Sequence, residues 1–294
     1  MIMVGDAQLE PVIELEDMAF PLRSFQPGVH AEVLTPHLGW LAPDHWDPES
    51  ESIHISHHAW VIRSRGGIVL VDPCVGNGRT RKIPFYDELD TPFLERLAAT
   101  GVRPEDVDFV VCTHLHVDHV GWNTQLKDGR WVPTFPNATY VFSRREHDFW
   151  AQDMTDNLPP RWRWNSGVYA DSVKPVIDAG LAQLVDEEAG FSFAGECCSL
   201  LPTPGHTVGS MSVLLDGGTD GALFCGDVMH WPAQIVFPDW RSDGSYDDTQ
   251  AIASRRAVLQ MCADRKLLLA TQHFRGAHAC RIAHDGAGGF LPRW

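Results

Sequence analysis

The sequence lacks both a stretch that could cross a membrane and a leader typical of secreted proteins. No run approaches the roughly 20 apolar residues that a transmembrane helix needs. The first sixteen residues carry four acidic side chains, with neither a basic segment nor a long apolar core. We therefore expect a cytoplasmic protein that has no membrane partner.

Positive charge is also scarce. The chain has 23 Lys and Arg residues against 39 Asp and Glu residues, so its formal net charge is −16. Nucleic acids and anionic membranes are bound mainly by lysine and arginine, and an acidic surface repels them. The charge therefore argues against nucleic acid as a partner and favours a small molecule as the substrate.

Cysteine is too sparse and too scattered for a disulfide framework. The seven cysteines are an odd number, and most of them lie within apolar runs, which is typical of reduced core residues. Adjacent Cys197 and Cys198 are the one pair that could bind a metal. Because no second cysteine pair accompanies them, a structural role is the favoured interpretation.

What remains is the composition of a globular protein. The 294 residues are 44% hydrophobic and 21% charged, which is enough apolar material for a large core. No repeat or linker divides the chain, so we predict a single domain over residues 1–294. Residues 1–50 are predicted to form an irregular N-terminal arm with strands near 12–15 and 31–34. This arm could cover the core or form a homodimer.

Apolar periodicity and turn residues predict alternating strands and helices in the remainder of the chain. Residues 153–171 are polar and contain proline, which predicts either a loop over a pocket or a surface helix. The other predicted elements are a hairpin at 52–72, helices at 91–100, 144–152 and 247–262, and strands at 109–112, 139–143, 181–185, 191–193, 199–201, 211–215, 222–225 and 267–271.

The densest cluster of reactive side chains follows the strand at 109–112. Three histidines and an aspartate, at positions 114, 116, 118 and 119, fall within six residues. A helix could place two of them on one face, but a loop leaving a strand can turn all four toward one point. Imidazole and carboxylate together are ligands of Zn²⁺ and related cations. The loop therefore predicts a metal site.

Three further candidate ligands each follow an apolar strand: His206, Asp227 and His273. A lone histidine after a strand is more often structural than ligating, but one loop cannot complete two metal sites by itself. Three histidines of the first hairpin, at 54, 57 and 58, lie far upstream on predicted strands. We expect no ligand role for them.

These motifs together resemble the metallo-β-lactamase-fold hydrolases. The resemblance rests on His114-x-His116-x-Asp118-His119, the Gly205-His206 turn, Asp227 after Cys225-Gly226, and the late His273. It covers most of the chain from residue 52 onward. It implies an α+β fold, a four-layer αβ/βα sandwich of two mixed sheets with helices outside.

The resemblance also implies a division of labour between two divalent metal ions. Zinc is the first choice, with manganese, iron or cobalt as alternatives. A hydroxide between the two ions would attack the substrate. The implied ligands are His114, His116 and His206 for the first ion, Asp118, His119 and His273 for the second, and Asp227 bridging both.

Within the family, the sequence is most similar to the N-acyl-homoserine-lactone lactonases and methyl-parathion-hydrolase-like enzymes. The similarity lies in His230-Trp231-Pro232-Ala233-Gln234 and in Gln272-His273-Phe274. One departure is that His230 stands where the smaller lactonases have a substrate-contacting tyrosine. We assign catalytic roles to Asp118, as a proton shuttle, and to His230.

Tryptophan is abundant, with eleven residues, and ligand pockets are lined mainly by apolar and aromatic groups. Five tryptophans near the motifs are candidate substrate contacts, although each could equally belong to the core. His147 and His278 are weaker polar candidates. The five tryptophans are Trp122, Trp150, Trp162, Trp164 and Trp231.

The predicted function is opening of a lactone by a binuclear metal-dependent hydrolase. A phosphotriesterase or arylesterase acting through the same site is the alternative. A non-catalytic, metal-stabilised binding protein is the remote alternative, and the intact ligand set argues against it.

Overall fold

The first of two large β-sheets contains eight strands, in the order β1-β2-β4-β5-β6-β9-β10 with β3 also paired to β4. Strands β5, β6, β9 and β10 run parallel, and the remaining pairs are antiparallel. Strands β7 and β8 form a separate hairpin. The bounds are β1 (Ile2–Val4), β2 (Ala7–Pro21), β3 (Trp46–Asp47), β4 (Ser52–Ser64), β5 (Gly67–Val71), β6 (Phe109–Val111), β7 (Thr124–Lys127), β8 (Arg130–Pro133), β9 (Thr139–Ser143) and β10 (Ala182–Val185).

In the second sheet, seven strands lie side by side in the order in which they occur in the chain, from β11 to β17. Strands β14 and β15 run parallel, and the other neighbouring pairs are antiparallel. This computed structural model describes residues 1–186, 191–218, 220–242 and 244–294. The strands are β11 (Ser192–Phe193), β12 (Cys198–Pro202), β13 (Met211–Asp216), β14 (Gly221–Phe224), β15 (Leu268–Ala270), β16 (Ala279–His284) and β17 (Phe290–Arg293).

Most helices are short, and α8 is the longest at 18 residues. Its first turn is capped by Asp247, whose carboxylate accepts a hydrogen bond from the Gln250 amide at 3.0 Å. No helix in the described part of the chain is long and apolar enough to cross a membrane. The helices are α1 (Leu22–Phe25), α2 (Leu38–Leu41), α3 (Phe93–Ala99), α4 (Val117–Val120), α5 (Arg144–Trp150), α6 (Lys174–Asp178), α7 (Ala233–Val236) and α8 (Asp248–Arg265).

Alternating side chains on the central strands create the layers. Val69 and Val71 of β5 point into the apolar layer between the two sheets, where they join Phe224 of β14. Leu70 points the other way, into a layer shared with Leu97 of α3. On the second sheet, Leu223 and Leu269 face outward against α8. Helices therefore cover the outer face of each sheet, and the predicted four-layer αβ/βα sandwich is confirmed.

The sheet directions bring the ends of distant strands together. Strands β5 and β6 are parallel, so the segments after Val71 and Val111 leave the first sheet at the same edge. Strands β14 and β15 do the same in the second sheet. Chains that leave parallel strands at their carboxyl ends can meet in a common crevice, which is where sites form in layered α/β proteins.

The N-terminal fifty residues are more regular than the sequence indicated. Strand β2 is paired with β4 from Gln8 to Pro21, so this part of the predicted arm belongs to the first sheet. The predicted strand at 31–34 is wrong, because Ala31–His37 is a 3₁₀ helix. Its Leu34 packs with Leu41 and Ile53 in a separate apolar cluster, which a helical turn allows. The prediction of one domain over 1–294 stays a prediction.

The predicted strands and helices after residue 50 are confirmed within two or three residues of their ends. Residues 153–171, predicted as a loop or a surface helix, fold into short helical turns, including the 3₁₀ helix Pro160–Asn165 and the π-helical turn Tyr169–Val173. Trp162 and Tyr169 of this segment are buried, so it covers the first sheet.

Gly121 allows the loop after β6 to lie directly against the loop after β5. Its amide donates to the Cys74 carbonyl at 2.6 Å, and a Cβ at this position would overlap the Val75 carbonyl. Gly121→Ala is therefore expected to lower the free energy of unfolding by about 1–3 kcal/mol, because two backbones must separate. Chemical denaturation measures the loss.

Gly39→Ala is the matched control. Gly39 lies in α2, and a Cβ added there meets no atom within 4 Å. We expect this variant to be as stable as the parent or slightly more stable. Equal stability of the two alanine variants would contradict the close packing at Gly121.

Candidate metal centre and active site

Three imidazole nitrogens and one carboxylate oxygen converge on a first point at the end of β6. His116 Nδ1 lies 3.0 Å from His114 Nε2 and 2.9 Å from His206 Nε2. Asp227 Oδ2 lies 3.2 Å from His206 Nε2 and 3.6 Å from His114 Nε2. Bonds of about 2.0–2.1 Å to a tetrahedral Zn²⁺ would separate neighbouring ligand atoms by about 3.3 Å. The four atoms therefore fit a single divalent ion.

A second group forms around the other oxygen of Asp227. Its Oδ1 lies 3.2 Å from His119 Nε2 and 2.9 Å from His273 Nε2. Asp118 Oδ2 lies 3.8 Å from His119 Nε2 and 3.7 Å from His273 Nε2. All seven predicted ligands are thus brought together. Asp227 faces each group with a different oxygen, as a bridging carboxylate does.

Two of these imidazoles are oriented by hydrogen bonds that their other ring nitrogen makes to residues behind the site. His119 Nδ1 lies 2.9 Å from Asp72 Oδ2, and Asp72 also accepts from the amide and the hydroxyl of Thr113, both at 2.7 Å. His273 Nδ1 lies 3.0 Å from the Ser56 carbonyl. Such partners fix the tautomer and orientation of a ligating histidine. Asp72 was not among the predicted site residues, although the loop that it begins follows a buried strand.

Two buried polar residues hold the backbone of the ligand loop. The Glu146 carboxylate accepts from the Leu115 amide at 3.1 Å and from the Gly209 amide at 2.8 Å. It thereby ties the loop after β6 to the turn that carries His206. Asn165 accepts from the Val117 amide at 2.9 Å and donates to the Leu115 carbonyl at 3.0 Å. No sequence motif marks either residue, because both contacts join segments distant in the chain.

The electrostatics favour the metal-binding protonation states of His114, His116 and Asp227. For His119 and His273, nearby carboxylates raise the pKa against the effect of burial, so these two would release a proton on binding a metal. Burial, assisted by neighbouring histidines, holds the pKa of His114 and His116 well below the ordinary value, so both are neutral at neutral pH. Burial alone would raise the pKa of Asp227, but the surrounding histidines hold it well below the usual range. Neutral imidazole and ionised carboxylate are the ligand forms.

His230 lies beside both groups. Its Nε2 is 3.3 Å from Asp227 Oδ2, and its ring stacks on His273 with 5.7 Å between centroids and 5° between planes. Burial lowers the pKa of His230 to about 4, even though Asp227 acts in the opposite direction. Phe25 meets the ring edge-on at 5.7 Å. His230 is therefore a neutral imidazole next to the predicted ligands.

Three of the five candidate tryptophans surround His116. The ring centroids of Trp164, Trp150 and Trp162 lie 4.8, 5.4 and 6.4 Å from that of the histidine. The other two have different neighbours: Trp122 stacks on Phe93 at 5.3 Å, and Trp231 packs between Trp46 and Trp240. Of the five, Trp164 is partly exposed and the other four are buried.

The weaker polar candidates have other neighbours. His147 pairs with Asp148 at 2.9 Å, and the ring of His278 lies 4.5 Å from that of His58.

His57 of the first hairpin lies beside the second group, a position that its place on an upstream strand did not indicate, and the expectation that it is not a ligand stays a prediction. Its Nε2 lies 3.3 Å from Asp118 Oδ2, and its ring centroid is 4.9 Å from that of His273. Strand β4 hydrogen-bonds directly to the segment after β15, through the amides of Ser56 and His58, and this pairing brings His57 to the site. His54 instead pairs with Asp17 at 2.7 Å.

Residues 54–273 match the model of the metallo-beta-lactamase superfamily. The chain belongs to this superfamily. The match covers most of the chain and includes all seven predicted ligands. Its members' use of divalent metal ions agrees with the two groups of donor atoms described above. The number and identity of the ions in this chain stay predictions.

Curated relatives include lactonases. The N-acyl homoserine lactonase AttM of Azorhizobium caulinodans is 37% identical over 135 residues, which cover 46% of this chain and 45% of the relative. AttM of Rhizobium radiobacter is 27% identical over 133 residues, covering 45% and 44%. A probable metallo-hydrolase of Mycobacterium tuberculosis, Rv2300c, is 28% identical over 193 residues, covering 59% and 56%. The chain thus spans about half the length of the curated relatives it matches.

Solved structures share the fold over nearly the whole chain. The hydrolase AbOPH of the beta-lactamase superfamily superposes with a TM-score of 0.81 at 20% identity, covering 99% of this chain and 95% of that one. AidC, a dizinc quorum-quenching lactonase, gives 0.75 at 23% identity with the same coverage. At these identities the likeness establishes the metallo-β-lactamase fold.

Metal removal is expected to destabilise the protein. An ion that binds the folded state alone, at a free concentration 100 times its Kd, contributes about 2.7 kcal/mol to the free energy of unfolding. We therefore expect a chelator to lower the Tm and added Zn²⁺ to restore it, in thermal unfolding with and without the chelator.

His114→Ala removes a predicted ligand and should weaken this response. His147→Ala removes a histidine outside the two groups and should keep the full response. If neither the chelator nor added metal changes the Tm of the parent protein, the result would contradict a metal centre at this place.

Proposed function

We propose that the protein is a binuclear metal-dependent hydrolase that opens a lactone, such as an acyl-homoserine lactone or another small lactone. The observation that carries the proposal is the placement of Asp227, whose two oxygens face two separate sets of donor atoms at 2.9–3.6 Å. The relatives named as N-acyl homoserine lactonases support the substrate class.

The donor set suits two divalent ions, and zinc is the proposed metal. The histidine-rich first group matches the preference of Zn²⁺ for imidazole in tetrahedral sites. Bound there, the ions would supply a water nucleophile of near-neutral pKa and polarise the carbonyl oxygen of the ester bond. The protein's contribution is to hold its ligands in the correct tautomers and to exclude bulk water.

Two side chains are proposed to act on protons during the reaction. Asp118 is more exposed than the other ligands of its group and presents Oδ2 toward it, so it can accept and return a proton. His230 is neutral, and its Nε2 lies within 3.3 Å of Asp227, on the edge of the donor atoms. It can donate a hydrogen bond to the carbonyl oxygen where smaller lactonases use tyrosine.

Aromatic side chains provide an apolar surface for the rest of the substrate. Trp164, beside His116, and Phe25, beside His230, are partly exposed, whereas Trp150 and Trp162 beside His116 are buried. We propose that Trp164 and Phe25 contact the acyl portion of the lactone and that Trp150 and Trp162 support them. Trp122 and Trp231 pack in apolar clusters, so they are proposed to support the site from a distance.

A phosphotriesterase or arylesterase is the second candidate function. The observation that favours it is His230, because an imidazole replaces the phenol that contacts the lactone carbonyl in the smaller lactonases. A non-catalytic binding role is the remote candidate, and the complete set of seven donors speaks against it. A homodimer formed through residues 1–50 and a cytoplasmic location stay predictions.

A substrate panel tests the proposed function. Zinc-loaded protein is expected to hydrolyse N-acyl-homoserine lactones with higher kcat/KM than aryl esters or paraoxon-type triesters, because the aromatic surface suits an acyl chain. Ring opening releases a carboxylic acid, and a pH indicator at low buffer concentration follows it.

Asp227→Asn is the matched control for that panel. It keeps the shape of the side chain and removes the charge shared by both groups, so metal content and kcat should both fall. Faster turnover of triesters than of lactones would favour the second candidate. If the zinc-loaded protein hydrolyses none of the compounds, the result would favour the non-catalytic binding role.

His230 can be tested separately from the metals. His230→Gln is expected to lower kcat by about 10²-fold or more, the usual effect of misplacing a hydrogen-bond donor to the developing oxyanion, while both ions remain bound. Steady-state kinetics and metal analysis of the same preparation measure the two effects. His284→Gln, which alters a histidine paired with Asp264 at the surface, should match the parent. Loss of an ion from His230→Gln would instead make His230 a ligand.

A further inference from the structure

The second group of donor atoms has a neighbour that the first lacks, a buried phenol. Tyr86 Oη lies 3.2 Å from Asp118 Oδ2 and 2.5 Å from His57 Nε2. His57 Nε2 is itself 3.3 Å from the same Asp118 oxygen. The three polar atoms therefore form a small triangle at the edge of the predicted second metal subsite.

The hydrogens of this triangle can be assigned by counting partners. His57 Nδ1 is buried and has no hydrogen-bond partner among the described residues. A proton there would leave a buried donor unpaired, which is costly, so the proton belongs on Nε2. Nε2–H then donates to Tyr86 Oη, and the phenol hydrogen donates to Asp118 Oδ2. With these directions, each polar hydrogen in the triangle has an acceptor.

The backbone fixes both outer members. Tyr86 ends the 3₁₀ helix Pro84–Tyr86, and its ring meets that of His57 edge-on at 5.3 Å. His57 lies on β4, opposite Leu15 of β2 on one side, and on the other side the amides of the adjacent Ser56 and His58 donate to the segment after β15. Asp118, in contrast, lies on α4, a helix of four residues. Tyr86 and His57 therefore contact a carboxylate that stands on a single helical turn.

We propose that Tyr86 and His57 are positioning residues that fix Asp118 for binding the second metal ion. The inference rests on the metal centre of the proposed function. Direct ligation by His57 is the competing arrangement. Its Nε2 is already engaged by Tyr86, and its Nδ1 lacks the outer partner that His119 has in Asp72 and His273 has in the Ser56 carbonyl.

Titration of chelator-stripped protein with Co²⁺ tests the proposal without reference to turnover. The parent should bind two ions with visible d–d absorption. Tyr86→Phe keeps the ring and removes the hydrogen bond, so the affinity for one ion should fall about 10–100-fold, the usual effect of losing such an outer contact. Affinity for the other ion and the absorption spectrum at saturation should not change.

The variant His57→Gln and the double variant separate positioning from ligation. If His57 acts through Tyr86, each single variant and the double variant should lose a similar amount, because all three break one chain of hydrogen bonds. A much larger loss in His57→Gln, with an altered Co²⁺ spectrum, would make His57 a ligand and overturn the proposal. Tyr86→Phe carries the test if His57→Gln does not fold.

Tyr140→Phe is the control for losing a buried phenol. Tyr140 donates to the Asn123 carbonyl at 3.0 Å in the core, so this variant should bind both ions as the parent does. Unchanged affinities in Tyr86→Phe would overturn the positioning role alone. A parent protein that binds fewer than two ions would overturn the proposed binuclear centre as well.

Discussion

The carboxylate of Asp227 is the interaction on which the site depends. Burial makes an isolated negative charge expensive, and here imidazoles surround it on both sides, which holds the pKa of Asp227 well below its usual range. The strongest of these partners are His119 and His273, and Asp227 raises the pKa of both although burial acts in the opposite direction, whereas burial keeps His114 and His116 neutral. Divalent ions bound here would take over from the protons of His119 and His273 as the positive charge beside the carboxylate.

The two-sheet architecture makes this arrangement attainable. Asp227 leaves the second sheet after β14, the ligand loop leaves the first sheet after β6, and His273 follows β15. No single sheet could surround a carboxylate from both sides. The close contact of Gly121 with the Val75 backbone and the link from Glu146 to Leu115 and Gly209 then fix the loops with respect to each other. The packing of the two sheets therefore also determines how the ligands are oriented.

The sequence predicted what is local. The strand at 109–112, the loop of four ligands after it, and His206, Asp227 and His273 could be found because each side chain follows its own apolar run. Contacts made by strand pairing could not be found in this way. His57 reaches the site because β4 binds the segment after β15, more than 200 positions later, and Tyr86 reaches it from a turn without a motif. Closeness in the chain was also an unreliable guide. Trp231 follows His230 directly, but its indole packs with Trp240 while His230 faces the donor atoms.

The candidate substrate contacts come partly from outside the matched region of the chain. The superfamily match begins at residue 54, and Phe25, the ring that meets His230, lies before it. Phe25 contacts Phe20, which contacts Phe85 next to Tyr86, so a row of aromatic rings connects the two sides of the site. Half of that row comes from the N-terminal segment. Under the proposed function this row is a candidate surface for selecting the substrate, so similarity in the metal motifs alone carries little information about which substrate is bound.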